Sequence, residues 1–336
     1  MIGLAPQLQT LEMKPRVQLI RETLYQILPE NFLLAIEILR NSIAESGDFK
    51  NFNLWPYSDY IQTYGHAHPQ LALEQLKIMT SLFTSEFAVR PYLRLYPDLT
   101  LSYLQDCAAD DNVHIRRWAS EGSRPRLPWG ERLQNLIQAP TLSLGILEKL
   151  KFDPELYVRK SVANHLNDIA KDHPLLVIQI LRRWQKEAGE KHATNINWII
   201  HRALRTLIKS GHDEALFLIG VGKSTKIKLS RFKINQKKFR LGDRLEFSFQ
   251  ISSQKKISQN LVVDYIMHFQ RANGKTTPKV FKLKTLQIDG GGSIQLTKAH
   301  VLKKVSTRSY YSGRQFLEIQ INGLIYHRVA WNLDID

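Results

Sequence analysis

From about residue 8 to residue 218 the apolar positions recur at helical spacing, as in Leu33, Ile36 and Leu39 or Leu73, Leu76 and Met79, with loop residues every 15 to 25 positions. This spacing predicts a first half that is almost entirely helix. After Gly220 the period drops to two. KIKLSRFKI, RLEFSFQIS, LVVDYIMHF, KVFKLKTL, QFLEIQI and LIYHRVAW alternate apolar and polar residues, with turn sequences such as ANGK and DGGGS between them. Six or seven short strands in about 110 residues predict an antiparallel β-sandwich of immunoglobulin-like architecture. The expected layout is a helical domain over 1–219, a linker over 220–226 and the sandwich over 227–336.

The helical half repeats itself. DDNVHIRRWASEG and DPELYVRKSVANHL share an acid, an Ile/Val-Arg pair and a helix of small residues, and Arg116 and Arg159 stand 43 residues apart, inside the range of HEAT-type repeats. A second echo pairs HPQLALEQL, followed by SEFAVRPYL, with HPLLVIQIL, followed by NWIIHRAL. Such repeats stack helix pairs so that the second helices line a concave binding surface, which predicts an α-helical HEAT-like solenoid. The repeated arginines have two readings, a tie between repeats or a contact with a ligand.

Candidate chemistry concentrates in RRWASEGSRPRLPWG, residues 116–130. One carboxylate, Glu121, stands among Arg116, Arg117, Arg124 and Arg126, and Arg117 shares its helix face at i, i+4. Gly122, Pro125 and Pro128 end the helix, so the acid lies near a C-terminus that disfavours negative charge, among cations that favour it. A structural ion pair and a functional acid both fit. One repeat later, Asn164 occupies the position equivalent to Glu121, with Asp168 one turn on; Val158, Val162, Leu166 and Ile169 form the expected buried stripe, and Asn164 and Asp168 are expected to point away from it. Asp168 also suits a cap or a bridge to a neighbouring Lys. Of the scattered tryptophans, Trp129 in the proline-rich loop and Trp198 beside His201 and Arg205 suit contact with an exposed sugar or base. GVGKST at 220–225 lacks the first glycine of a phosphate loop, since Phe217 stands there, and is read as linker. Nucleophile-elbow and zinc-hydrolase motifs are absent.

Charge then separates the two halves. The chain carries a formal +16; residues 224–336 hold 21 Lys and Arg against 7 Asp and Glu, whereas residues 1–223 hold 26 against 24. The basic C-terminal third implies a polyanionic partner. Cys107 is the only cysteine, which excludes an intrachain disulfide, and no Cys/His pairs stand at metal-ligand spacing, so neither metal nor cofactor is expected. No apolar run of about 18 residues and no leader pattern are present; a monomer in a bacterial cytoplasm, without membrane contact, is expected.

With these features in place, VHIRRWASEGSRPRLPWG, DPELYVRKSVANHLNDIAKDHP and NWIIHRALRTLIKSG resemble the bacterial DNA alkylation repair glycosylases built from HEAT-like repeats, most closely the AlkC branch, over about residues 11–215. TKAHVLKKVSTRSYYSG and FLEIQINGLIYHRVAW resemble the immunoglobulin-like domain that some AlkC members carry. The resemblance implies hydrolysis of the N-glycosidic bond of cationic alkylated bases, 3-methyladenine and 3-methylcytosine, in double-stranded DNA. On that reading Glu121 is the catalytic carboxylate with Asp168 as a second acid. Trp129, Asn164, Trp198 and His201 would meet the lesion, and Arg117, Arg124, Arg126, Arg159, Lys160, Arg202 and Arg205 the DNA backbone. The rival is a non-catalytic HEAT protein that binds bent or branched DNA.

Overall fold

Proline placement decides where several helices begin. A proline in the first helical turn loses no hydrogen bond, and its ring pushes the preceding residue out of the helical region. In the computed structural model, which describes residues 2–46, 51–222, 225–305 and 308–335, His68 and His173 take almost the same backbone angles (φ −129°, ψ 60° and φ −128°, ψ 61°) before Pro69 and Pro174. Tyr96 before Pro97 repeats them (φ −133°, ψ 59°). The His-Pro echo is thus one local geometry used three times, and Tyr96 hides the third instance.

The described helices are α1 (Ala5–Thr10), α2 (Met13–Ile27), α3 (Phe32–Ser46), α4 (Trp55–Tyr64), α5 (Pro69–Leu82), α6 (Arg90–Leu95), α7 (Pro97–Cys107), α8 (Val113–Gly122), α9 (Gln134–Gln138), α10 (Thr141–Leu150), α11 (Leu156–Ile169), α12 (Pro174–Glu187), α13 (Gly189–Ala203), α14 (Arg205–Lys209) and α15 (Asp213–Leu218). The strands are β1 (Ile227–Ile234), β2 (Lys238–Arg240), β3 (Arg244–Ser253), β4 (Gln259–Gln270), β5 (Thr276–Ile288), β6 (Ser293–Val301), β7 (Gly313–Ile321) and β8 (Leu324–Asp334). The chain forms two compact units, Met1–Ala203 and Leu204–Asp336.

In the first unit α7 packs on α8, α10 on α11 and α12 on α13, and α8, α11 and α13 stack on one another. Trp118, Trp184, Leu73, Leu76 and Leu93 are fully buried in its core. The 43-residue offset survives at atomic detail. Arg116 Nη1 donates to the carbonyls of Asp110 (3.0 Å) and Asp111 (2.8 Å), six and five residues back, and Arg159 Nη1 donates to those of Asp153 (2.9 Å) and Pro154 (2.6 Å), again six and five back. Arg116 also reaches the carboxylate of Asp153 at 2.7 Å and so ties one repeat to the next. Arg159, expected at the DNA backbone, is instead buried in the turn that opens its own helix. Its guanidinium satisfies carbonyls that have no helical partner.

The second unit holds two sheets, β1-β3-β6 and β2-β8-β7-β4-β5, antiparallel throughout except for the parallel pair β2 and β8. Phe247, Phe249, Tyr265, Met267, Leu317 and Trp331 fill the space between them. Inner and outer residues alternate along β3 as the sequence predicts, but β4 is buried on both faces. The reason is that α14 and α15, helical in period, belong to this unit. Gln320 Nε2 donates to the carbonyl of Lys209 and Asn260 Nδ2 to that of Gly220, both at 2.9 Å. The division therefore falls at Ala203 and not at the change of period near 219. Within the expected linker, Lys223 and Ser224 lie outside the described residues.

The helix pair seats on the sheet through two glycines. A Cβ built on Gly323 would stand 2.1 Å from the Cα of Gly211, and both residues have positive φ (+82° and +77°). Backbone cannot yield as a flexible side chain does. Gly323→Ala is therefore expected to cost about 3 kcal/mol, or about 10 °C of Tm, through combined clash and strain. Gly222→Ala, where a methyl meets open space, is the control in the same thermal melt. Equal melting temperatures for the two variants would refute the close seating.

Among the described residues no helix is long and apolar enough to cross a membrane, and no group of three or more His, Cys, Asp or Glu is placed to hold a metal ion. Cys107 is buried as a free thiol, its pKa pushed up to about 12 by burial.

Candidate active site at the end of helix α8

Helix α8 starts with Asn112, whose side chain accepts from the amide of His114 at 2.8 Å, a standard N-cap. It ends in small residues that allow close packing. A Cβ on Gly122 would meet Val89 at 2.7 Å, and Ser123 bonds back to the carbonyl of Ala119. The last turn is thereby pressed into the core, and with it Glu121, whose side chain is only 8% exposed.

The two oxygens of Glu121 have different partners. Oε1 accepts from Arg124 Nη1 at 2.6 Å and faces Arg117 Nη2 at 3.7 Å, while Oε2 accepts from the hydroxyl of Ser161 on α11 at 2.5 Å. Arg124 bridges two acids: its Nε and Nη2 contact Asp168 Oδ2 at 2.9 and 2.8 Å. Asp168 is completed by Lys171 Nζ on Oδ1 at 3.0 Å. Arg117 is anchored by Glu86 (2.5 Å) and Thr84 (3.0 Å), with its guanidinium 5.2 Å from the ring centre of the partly exposed Tyr157. Burial opposes the charge on Arg117 and Arg124, yet the acids around them win, and both are held above the ordinary arginine value. Asp168 was expected to point away from the buried stripe. It is buried, because Arg124 folds over α11 to meet it.

The loop after α8 is held by a residue outside the expected set. Arg90, at the start of α6, is fully buried and donates to the carbonyls of Gly122 (3.0 Å), Arg124 (2.8 Å) and Glu131 (2.7 Å). Burial lowers its pKa to about 10. The signal was in the sequence: Val89-Arg90 is the same dipeptide as Val158-Arg159. Beyond it Trp129 is 73% exposed with φ +66°, a conformation rare for a side chain of this size, and its carbonyl accepts from Lys14 Nζ at 2.5 Å. An aromatic held in strained backbone and facing solvent is an arrangement found where proteins meet ligands.

On α11, Ser161 and His165 face α8 and Asp168, at i, i+4 and i+7 with them, meets Arg124 in the loop after α8; Asn164, expected to point away from the buried stripe with Asp168, is half-buried. Fully buried His165 places Nδ1 3.0 Å from the carbonyl of Ser120 and Nε2 3.2 Å from the hydroxyl of Ser143. A carbonyl only accepts, so Nδ1 carries the proton. Burial, and then the charges of Arg124 and Arg90, push its pKa down to about 3. The imidazole is neutral and takes no part as an acid at neutral pH. The stability it confers is complete above 6.5 and is lost as pH falls toward about 3. Urea midpoints are expected to fall steadily below about pH 6.5, and His165→Asn to flatten that slope. Parallel pH profiles for the two proteins would contradict this.

The remaining expected residues are dispersed. Arg126 makes a two-point contact with Asp172 at 2.8 and 2.9 Å. Trp198 is half-buried with Arg202 5.6 Å from its ring centre, and Lys160 and His201 are exposed. Arg205 lies half-buried in the second unit. Trp118 and Trp184 belong to the core.

The sequence and the fold are shared with known proteins. Residues 228–335 match the family described as the C-terminal Ig-like domain of the uncharacterised protein YhaZ. The chain is 39% identical to the uncharacterized protein YhaZ of Bacillus subtilis over 313 residues, 93% of this chain and 85% of the relative. It is also similar to the solved structure of the Pseudomonas fluorescens alkylpurine DNA glycosylase AlkC bound to DNA containing an abasic site analog. That likeness has a TM-score of 0.89 and 35% identity and covers 99% of this chain and 90% of the other.

Proposed function

The chain belongs to the AlkC family of DNA glycosylases, and from that premise we propose that it hydrolyses the N-glycosidic bond of cationic alkylated bases, 3-methyladenine and 3-methylcytosine, in double-stranded DNA. The observation that carries the reading is the buried carboxylate of Glu121, oriented from α11 by Ser161 and ringed by guanidinium groups. A base alkylated at N3 already carries positive charge and leaves without being protonated. What remains is to stabilise the positive sugar that forms and to present water to it. One fixed carboxylate in a partly dry site serves both ends, so half of the paired-acid apparatus of ordinary glycosidases suffices.

In this reading Asp168 acts one step removed, by holding Arg124 against Glu121. Trp129 meets the opened duplex, with Asn164, Trp198 and His201 further along the lesion strand. Lys160, Arg126, Arg202 and Arg205 take phosphates, which position the duplex without reading its sequence. The basic immunoglobulin-like unit supplies long-range attraction. The enzyme acts alone, as a monofunctional hydrolase in the cell interior.

The rival, a non-catalytic protein that binds bent DNA, draws on the same site, because both oxygens of Glu121 are already bonded in the free protein. Release of free base from methylated duplex DNA, followed by chromatography, separates the two. Binding without release would establish the rival.

A further inference from the structure

We infer that Ser161 is a positioning residue for Glu121, fixing the plane of its carboxylate without cancelling its charge, and that Ser120 in turn fixes Ser161. The inference rests on the reading that Glu121 performs the chemistry.

The proton count gives the chain its direction. Ser161 Oγ lies 2.5 Å from Glu121 Oε2 and 3.0 Å from Ser120 Oγ. A hydroxyl has one proton, and an ionised carboxylate can only accept. The proton of Ser161 therefore goes to Glu121, and at the second contact Ser120 donates to Ser161. Ser120 is fully buried and Ser161 is 2% exposed, so neither hydroxyl can turn to bulk water. Two donors in series polarise each other and strengthen the last bond.

The other partners of Glu121 cannot do this work. Arg117 and Arg124 have long side chains that also serve Glu86, Thr84 and Asp168. Being cations, they also offset the negative charge that a positive sugar needs. Ser161 is neutral, has one rotatable bond before its oxygen and stands on a helix stacked directly on α8. It sets orientation while leaving the charge in place, as preorganised catalysis requires.

The test uses the full chain and a duplex carrying 3-methyladenine, with single-turnover excision measured beside the affinity for a duplex holding an abasic-site analog. Ser161→Ala is expected to slow excision about tenfold, the value of one hydrogen bond to a charged group. Affinity should stay within about twofold, since no group touching DNA is removed. Ser161→Thr, which keeps the hydroxyl, should recover most of the rate. Ser120→Ala should slow excision in the same direction by less, and it keeps the test decisive should Ser161→Ala fold poorly. A wild-type rate in Ser161→Ala, or an equal loss of rate and affinity, overturns the inference. Glu121→Gln in the same assay keeps the failures apart: if that variant excises normally, the catalytic reading is wrong; if it is inactive while Ser161→Ala is unimpaired, only the positioning role is wrong.

Discussion

Glu121→Gln is expected to excise 3-methyladenine at least about 10³-fold more slowly than the wild type, the scale of losing a preorganised charge at a transition state. Its affinity for undamaged duplex should change by no more than about twofold, because a buried carboxamide alters no phosphate contact. The substitution is nearly isosteric. It removes the charge that faces the sugar while keeping an oxygen that can accept from Ser161 or Arg124. Some stability is expected to go with the charge, since of the two acids around Arg124 only Asp168 would remain ionised. The comparison is therefore made well below the melting point, with circular dichroism to establish folding. Near-normal excision by a folded Glu121→Gln protein would end the catalytic assignment and favour a DNA-binding role.

The repeat phase and the change of period were legible because each rests on local physics. Arg116 of Ile115-Arg116 and Arg159 of Val158-Arg159 share one hydrogen-bond geometry, and alternation along β3 follows the pleat. The site was legible only in part. Glu121 and its arginine neighbours are close in sequence, and two of them, Arg117 and Arg124, do meet it. Ser161 was missed because serine in a helix carries no signal until the helix it faces is known. Counting from Glu121 by the repeat pointed to Asn164, whereas the face of α11 that meets α8 and the loop after it is the stripe Ser161, His165 and Asp168. A buried polar stripe at i, i+4 and i+7, interleaved with apolar residues, was the available clue. The domain boundary escaped for a related reason: α14 and α15 have the period of the first half but pack with the second unit. Periodicity reports what a segment forms, not what it packs against.

That boundary also decides how the contribution of the basic unit is measured. A cut near residue 224 would leave Leu207, Ile208 and Leu216 without the sheet that shares their unit and would invite aggregation. A cut between Ala203 and Leu204 follows the compact units. It removes 24 Lys and Arg against 9 Asp and Glu. If this charge serves the duplex, the shortened protein should bind DNA about 10²-fold more weakly at about 50 mM salt, and the slope of log K against log salt should flatten by about 3, equivalent to three or four lost phosphate contacts. Fluorescence anisotropy across a salt series reads both quantities. In the full chain, changing the exposed Lys279, Lys282 and Lys284 of β5 to Gln together should move the slope the same way by a smaller amount. Because the site around Glu121 lies wholly within the first unit, the shortened protein at saturating concentration should still release base. A slope unchanged by either alteration would mean that the charge of this unit serves something other than DNA.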